Sequence, residues 1–207
     1  SPTGRFKSRE GKTADADDLI AEVLRIAEEK TKELGKIEGF TDEEANALYK
    51  TIGLGALKYF VLRVNPYKKI IFNPEESIDF HGHTGPFIQY THARIKAIMR
   101  RAGESLTNLQ IDGFTDFNLA DVERELIIQL SEYENVVRTA AEKYDPSEVA
   151  NYVYNIAKLY NKFYHDLPIL SAEKEEVKNL RIALSNETGV IIKKAMKLLG
   201  IDVPEKM

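Results

Sequence analysis

The sequence predicts a mainly α-helical protein in which a helical bundle follows a small mixed α/β segment. Three observations carry this reading. Apolar residues recur at three- and four-residue spacing through most of the chain, and capping residues and glycines punctuate those runs. One stretch after Asn65-Pro66 instead concentrates Ile and Phe in a short block. With 207 residues and 43% hydrophobic content, the chain can bury either one large core or a medium core with an appendage.

The first helix is predicted over residues 15–36, with Asp15 or Asp17 as cap, Leu19, Ile20, Val23, Ile26, Ala27 and Leu34 at helical spacing, and Gly35 as the stop. Thr41 followed three residues later by Glu44 has the spacing of a capping box. It opens a second helix through Ala45, Leu48, Tyr49 and Ile52 that is expected to end near Gly53 or Gly55. Residues 56–64 fit a strand or a buried helix equally well, and residues 69–72 are a strand candidate. From Pro86 onward the pattern is helical. One helix is predicted over 85–102 and another over 118–143. A third follows Asp145-Pro146, an acid ahead of a proline at the first helical position, and a last helix runs from a Ser171 cap to Gly200. Amphipathic helices joined by short connections make a bundle. The division is placed at 1–80 and 81–207, where the texture changes.

Composition narrows the function. No apolar run approaches the roughly 18 residues a bilayer span requires. No signal-peptide pattern is found, and the absence of cysteine removes disulfides and thiolate metal ligands, which fits a reducing cytosol. The net charge is −4, yet residues 45–103 carry nine Lys or Arg against three acids. Such a basic block suits a polyanion-binding surface, because phosphate contacts depend on local charge; a chance cluster of solvated cations fits as well.

The helix beginning PFIQYTHARIKAIMRR is the most informative element. Ile88, Ile95 and Met99 form one stripe, while Phe87, Tyr90, Arg94 and Arg101 fall together on another. Aromatic rings stack on unpaired bases and guanidinium groups pair with phosphates, so the second stripe suits single-stranded nucleic acid; it also suits packing between bundle helices. His81-Gly82-His83 brings two imidazoles together, but His92 stands at no recognised ligand spacing and no metal site is expected. The chain has no GxSxG elbow, Walker loop, paired-histidine zinc helix or GxGxxG fingerprint. The single phosphate-type signal is the opening loop, where Arg5, Lys7, Arg9 and Lys12 surround glycines.

Together these pieces resemble the C-terminal part of the arginyl-tRNA synthetase family. Phe6-Lys7-Ser8-Arg9-Glu10-Gly11 looks like that family's degenerate KMSKS loop. Gly55-Ala56-Leu57-Lys58-Tyr59-Phe60, with Phe72-Asn73 further on, is similar to the connecting segment. Thr84-Gly85-Pro86-Phe87-Ile88-Gln89-Tyr90-Thr91-His92-Ala93-Arg94 resembles the TGPYxQYxHAR stretch that opens the helical anticodon-binding domain. Phe163-Tyr164, Arg181-Ile182-Ala183-Leu184 and the run from Leu198 to Met207 complete the resemblance.

The resemblance implies an anticodon-binding helical bundle over 81–207 behind a connective segment over 1–80. It implies that Lys7, Ser8 and Arg9 belong to a mobile ATP loop, and that Phe87, Tyr90, Arg94, Tyr164 and Met207 line a pocket for the anticodon loop of arginine tRNA. Phe87 replaces the tyrosine usual in the motif, which keeps a stacking ring and loses a hydroxyl. The full-length enzyme is expected to be a cytoplasmic monomer that uses ATP with Mg to join arginine to its tRNA. The nucleotide-binding half has no counterpart in this sequence, so the 207-residue chain is expected to need no cofactor and to be inactive alone. The rival readings are a stand-alone helical RNA binder and a protein-interaction module.

Overall fold

The computed structural model describes residues 16–35, 37, 39–103 and 118–207. Its helices are α1 (Ala16–Glu33), α2 (Asp42–Leu62), α3 (Pro74–Ser77), α4 (Gly85–Ala102), α5 (Asp121–Ser131), α6 (Tyr133–Lys143), α7 (Ser147–Asp166) and α8 (Glu175–Leu198). Among the described residues there is no strand.

Local chemistry places several ends where the sequence predicts them. At the start of α2 the Thr41 hydroxyl accepts from Glu44 N–H at 3.2 Å while the Glu44 carboxylate accepts from Thr41 N–H at 2.9 Å, closing the capping box. The Thr84 hydroxyl accepts from Phe87 N–H at 3.3 Å, and α4 keeps its predicted bounds. Asp145 Oδ1 accepts from both the N–H and the hydroxyl of Ser147 at the head of α7. Gly200, with φ +67°, lets the chain leave α8 in a left-handed turn, and Ile201 N–H donates back to Met196 O at 2.9 Å.

Four expectations change. α2 does not stop at Gly53 or Gly55 but runs on through residues 56–62. Both glycines are sites of close approach inside the helix: a Cβ on Gly53 would stand 2.9 Å from Leu24 Cδ2, and one on Gly55 would collide with Gln89 Nε2. The strand candidate at 69–72 is not a strand, because no partner strand lies beside it among the described residues. Ile71 there is 91% exposed, and only Phe72 turns inward, edge-on to Phe60 at 4.9 Å. The helix predicted over 118–143 is broken at Glu132, where the Tyr152 hydroxyl donates to Gln129 O at 2.9 Å and engages a carbonyl that the helix would otherwise use. α8 starts at Glu175 and not at Ser171, because the preceding segment is held down by buried Ile169 and by Arg181, which donates to Pro168 O at 2.7 Å.

α4 is the hub. It packs on α2, α7 and α8, while α1 lies on α2, and α5 and α6 lie on α7. The larger core joins Ile88, Ile95 and Met99 of α4 to Ile156, Tyr160 and Phe163 of α7 and Ile192 and Met196 of α8. A smaller core holds Val23, Ile26, Leu48, Ile52 and Ile78, with Tyr90 and Met207 packed against it. The Tyr59 hydroxyl donates to Ala150 O at 2.9 Å, and Asn65 Nδ2 donates to Asp145 Oδ2 at 2.5 Å, so α2 and the segment after it are bonded to the start of α7. Glu123, 3% exposed, accepts from Arg181 Nε at 2.7 Å and from Ala120 N–H at 2.8 Å, which ties α5 to α8. Both charges of this pair are compensated by further hydrogen bonds, the condition for a buried ion pair not to destabilise.

α4 also buries polar groups. Gln89 and His92 are both fully inaccessible. Burial is the main cause that holds the His92 imidazole below its ordinary 6.5, with Lys96 and Lys193 adding to it against the Pro204 carbonyl and Glu205. Burial, aided by Arg63, does the same to His83.

Two outcomes follow from this packing. In Gly85→Ala the new Cβ would lie 2.7 Å from Gly55 O, a backbone atom that cannot rotate away. Urea unfolding of this variant is expected to report a loss of about 1–3 kcal/mol; an unchanged midpoint contradicts the close crossing. For the histidines, the fold favours the neutral form of both, while the unfolded chain protonates near 6.5. Stability is therefore complete above that pH and falls as pH drops through and below it. The urea midpoint at pH 5.5 is expected to lie below that at pH 7.5, with a shallower dependence in His92→Asn; a midpoint that rises toward pH 5.5 contradicts the assignment.

Candidate functional site

A groove of about 510 Å³ opens along the outer side of α4. Its walls come from four places in the chain: Tyr90, Arg94, Arg100 and Arg101 on α4, Tyr164 on α7, Lys206 and Met207 on the tail after α8, and Gly35 and Phe40 on the α1–α2 connection. Helical periodicity sets the first group. Residues 90, 94 and 101 recur on the side opposite the buried Ile88, Ile95 and Met99, so one helix presents a core stripe and a groove stripe together.

Arg94 is the centre of the groove. Its guanidinium carbon lies 4.9 Å from the Tyr90 ring centroid and 4.8 Å from that of Tyr164, and Nη1 donates to Asn161 Oδ1. Asn161 is itself fixed, its Nδ2 donating to Thr91 Oγ1 at 2.8 Å and to Ala157 O at 2.9 Å. All of these partners are neutral, and among the described residues no carboxylate side chain lines the groove. These rings and this amide thus hold the positive charge in place without neutralising it. Arg100, Arg101 and Lys206 add to the same field. Tyr164 is 40% exposed and offers an open ring face beside Arg94. Flat aromatic surface next to fixed cations is the arrangement that binds unpaired nucleotides, by stacking on bases and pairing with phosphates.

The tail reaches the groove because α4 holds it. Gln89 Nε2 donates to Asp202 O at 2.8 Å and to Thr51 O at 3.0 Å. His92 Nδ1 lies 2.8 Å from Pro204 O. A carbonyl can only accept, so this ring nitrogen carries the proton. Arg100 Nη1 donates to Glu205 O at 2.9 Å, and the Glu205 carboxylate lies 4.0 Å from Lys96 Nζ and 3.9 Å from Lys193 Nζ.

Of the residues predicted for the site, the structure brings Tyr90, Arg94, Tyr164 and Met207 together. Phe87 is the exception. It does not line the groove but packs against the larger core, its ring 5.4 Å from that of Tyr154, which in turn stacks on His83 at 3.9 Å. The shared helical side is real, but the first turn of α4 is covered by α7, and the groove begins one turn later. Lys7, Ser8 and Arg9 lie outside the described residues. Among the described residues no group of three or more His, Asp or Glu is placed to hold a metal ion, and no helix is long and apolar enough to cross a membrane. Sequence reasoning missed Asn161, Phe40 and the tail-holding pair Gln89 and His92. Asn161 had a usable signal, a polar residue three positions before Tyr164 in an otherwise apolar helix face.

Comparison with known proteins agrees with this geometry. Over its whole length the chain is 50% identical to the arginine-tRNA ligase of Bacteroides fragilis and 48% identical to that of Flavobacterium psychrophilum, covering 34% and 33% of those proteins. It therefore spans about a third of the length of the curated relatives it matches. Among solved structures, the arginyl-tRNA synthetase of Thermus thermophilus superposes with a TM-score of 0.83 at 30% identity, over 96% of this chain and 33% of that one. The Plasmodium falciparum enzyme shares the fold with a TM-score of 0.79 at 21% identity, over 94% of this chain and 34% of that one. Residues 88–207, the part that contains the groove stripe, α7 and the tail, match the DALR anticodon binding domain, and the chain belongs to that family.

Proposed function

We propose that this chain is the connective segment, residues 1–80, and the anticodon-binding domain, residues 81–207, of an arginine-tRNA ligase. In this reading the groove on α4 receives the anticodon loop of arginine tRNA. The observation that carries it is Arg94, held between Tyr90 and Tyr164 by neutral partners in a groove that, among the described residues, has no carboxylate side chain in its lining. Tyr90 and Tyr164 stack on unpaired bases, Arg94 pairs with a phosphate or lies over a base edge, and Met207 closes one wall with a flexible apolar side chain. Phe87 supports α4 from the core side and takes no part in the groove.

The full-length protein is proposed to join arginine to its tRNA in the cytoplasm as a monomer. ATP with its Mg ion, and arginine, belong to a catalytic part outside this chain, and Lys7, Ser8 and Arg9 are proposed to approach the triphosphate there. Support comes from the ligase relatives, which extend about twofold beyond the matched third. The chain by itself is proposed to bind RNA without activating an amino acid.

Fluorescence anisotropy of labelled arginine tRNA checks the binding claim. Tyr164→Ala and Arg94→Ala are each expected to weaken binding by on the order of 1–3 kcal/mol, and parent affinity is expected to fall steeply with salt. Folded variants that bind as well as the parent contradict the groove assignment. ATP–pyrophosphate exchange with arginine checks the second claim: the 207-residue chain is expected to give none above background, and a measurable rate overturns it.

A further inference from the structure

We propose that Gln89 and His92 are positioning residues for the groove: by clamping the backbone of Asp202 and Pro204 they set where Lys206 and Met207 stand, and the RNA is bound by the clamped tail together with α4 and α7. The inference rests on the reading of the groove as an anticodon site and adds to it two residues that touch no part of the groove.

The geometry has one direction. Gln89, His92 and Arg100 succeed one another along α4, and their carbonyl partners on Asp202, Pro204 and Glu205 succeed one another along the tail. The tail therefore runs beside α4 in the same direction as the helix, and it delivers Lys206 and Met207 to the groove next to Arg94 and Arg101. Gln89 does a second thing: its donation to Thr51 O fixes the tail's first anchor to α2 as well as to α4.

Packing alone does not account for these two side chains. Both are completely buried, and each leaves one polar atom, Gln89 Oε1 and His92 Nε2, without a hydrogen-bond partner. Burying an unpartnered polar atom is unfavourable, whereas Leu or Met fills similar space without that loss. What the polar residues supply and apolar ones cannot is donation to carbonyls of an extended segment that has no helix or sheet of its own to satisfy it. Burial also keeps His92 neutral, so that its one proton sits on the nitrogen facing Pro204. Beyond Gly200 the tail has one fully buried apolar residue, Ile201, at 2% exposure, while Val203 and Met207 are only partly buried against the two cores. The clamps add to these contacts a direct hold on the backbone of residues 202 and 204.

The test is a double-mutant cycle on the 207-residue chain, using a fluorescein-labelled anticodon stem–loop of arginine tRNA as probe and urea unfolding to confirm folding. His92→Leu and a chain ending at Val203 are each expected to lose about tenfold in affinity, the size of one charge-free hydrogen bond to a backbone carbonyl plus the contacts it positions. The combined variant should lose no more than either alone. His92→Asn, whose amide can donate from a similar place, should recover most of the loss. Carboxypeptidase should release Met207 from His92→Leu faster than from the parent, a readout that needs no RNA. Additive losses, a His92→Leu chain that binds like the parent, or equal release of Met207 overturns the inference while leaving the groove reading in place. A parent chain that does not bind the stem–loop overturns both. The same cycle with Gln89→Met carries the test if His92→Leu does not fold.

Discussion

The close crossing of α2 and α4 governs the rest of this molecule. At Gly85 a single added carbon would meet the backbone oxygen of Gly55 at 2.7 Å, so the two helices approach as nearly as backbones allow. That approach brings Gln89 within reach of Thr51 O and, through the same amide, of the C-terminal tail. It also turns the opposite side of α4 outward between the α1–α2 connection and α7, where the groove forms. Tight helix contacts through small residues are usually discussed as a means of stability. Here the contact is also a means of registration, since a shift of α4 by one turn would separate Arg94 from Asn161 and His92 from Pro204 together.

The groove illustrates how a protein with net charge −4 can present a local positive site. The cations are concentrated on one helix and one tail, and the described partners of Arg94 and Arg100 are rings, an amide and a backbone carbonyl. A carboxylate partner would hold Arg94 equally well but would cancel its field before an anion arrived. The buried pair Glu123 and Arg181 marks the contrast. There the charge is matched at 2.7 Å and walled in, and it serves to join α5 to α8 rather than to face a ligand.

What could be read from the sequence was what local chemistry decides. The capping box at Thr41, the bounds of α4 and the division of its residues into a core stripe and an outer stripe all depend on neighbours within four positions. What could not be read depends on distant partners. Gly53 and Gly55 look like a helix end until Leu24 and Gln89 are in place against them. Residues 69–72 have strand composition but no strand to pair with among the described residues, and the break at Glu132 arises from Tyr152 on another helix. The site divides in the same way. Tyr90 and Arg94 were legible as a helical stripe, and Tyr164 and Met207 through family resemblance. Gln89 and His92 were not, because their carbonyl partners lie 113 and 112 residues away. Phe87 was grouped with Tyr90 by helical spacing and by family resemblance, and its contact with Tyr154 on the core side separates them.

The central claim is that the Arg94 groove takes up the anticodon loop, and chemical probing of intact arginine tRNA tests it most directly. With the chain at saturating concentration, 2′-hydroxyl acylation along the whole tRNA should be suppressed in the anticodon loop and unchanged at the acceptor end. Protection of the acceptor end, or an anticodon loop that stays fully reactive while the chain is bound, would contradict the account.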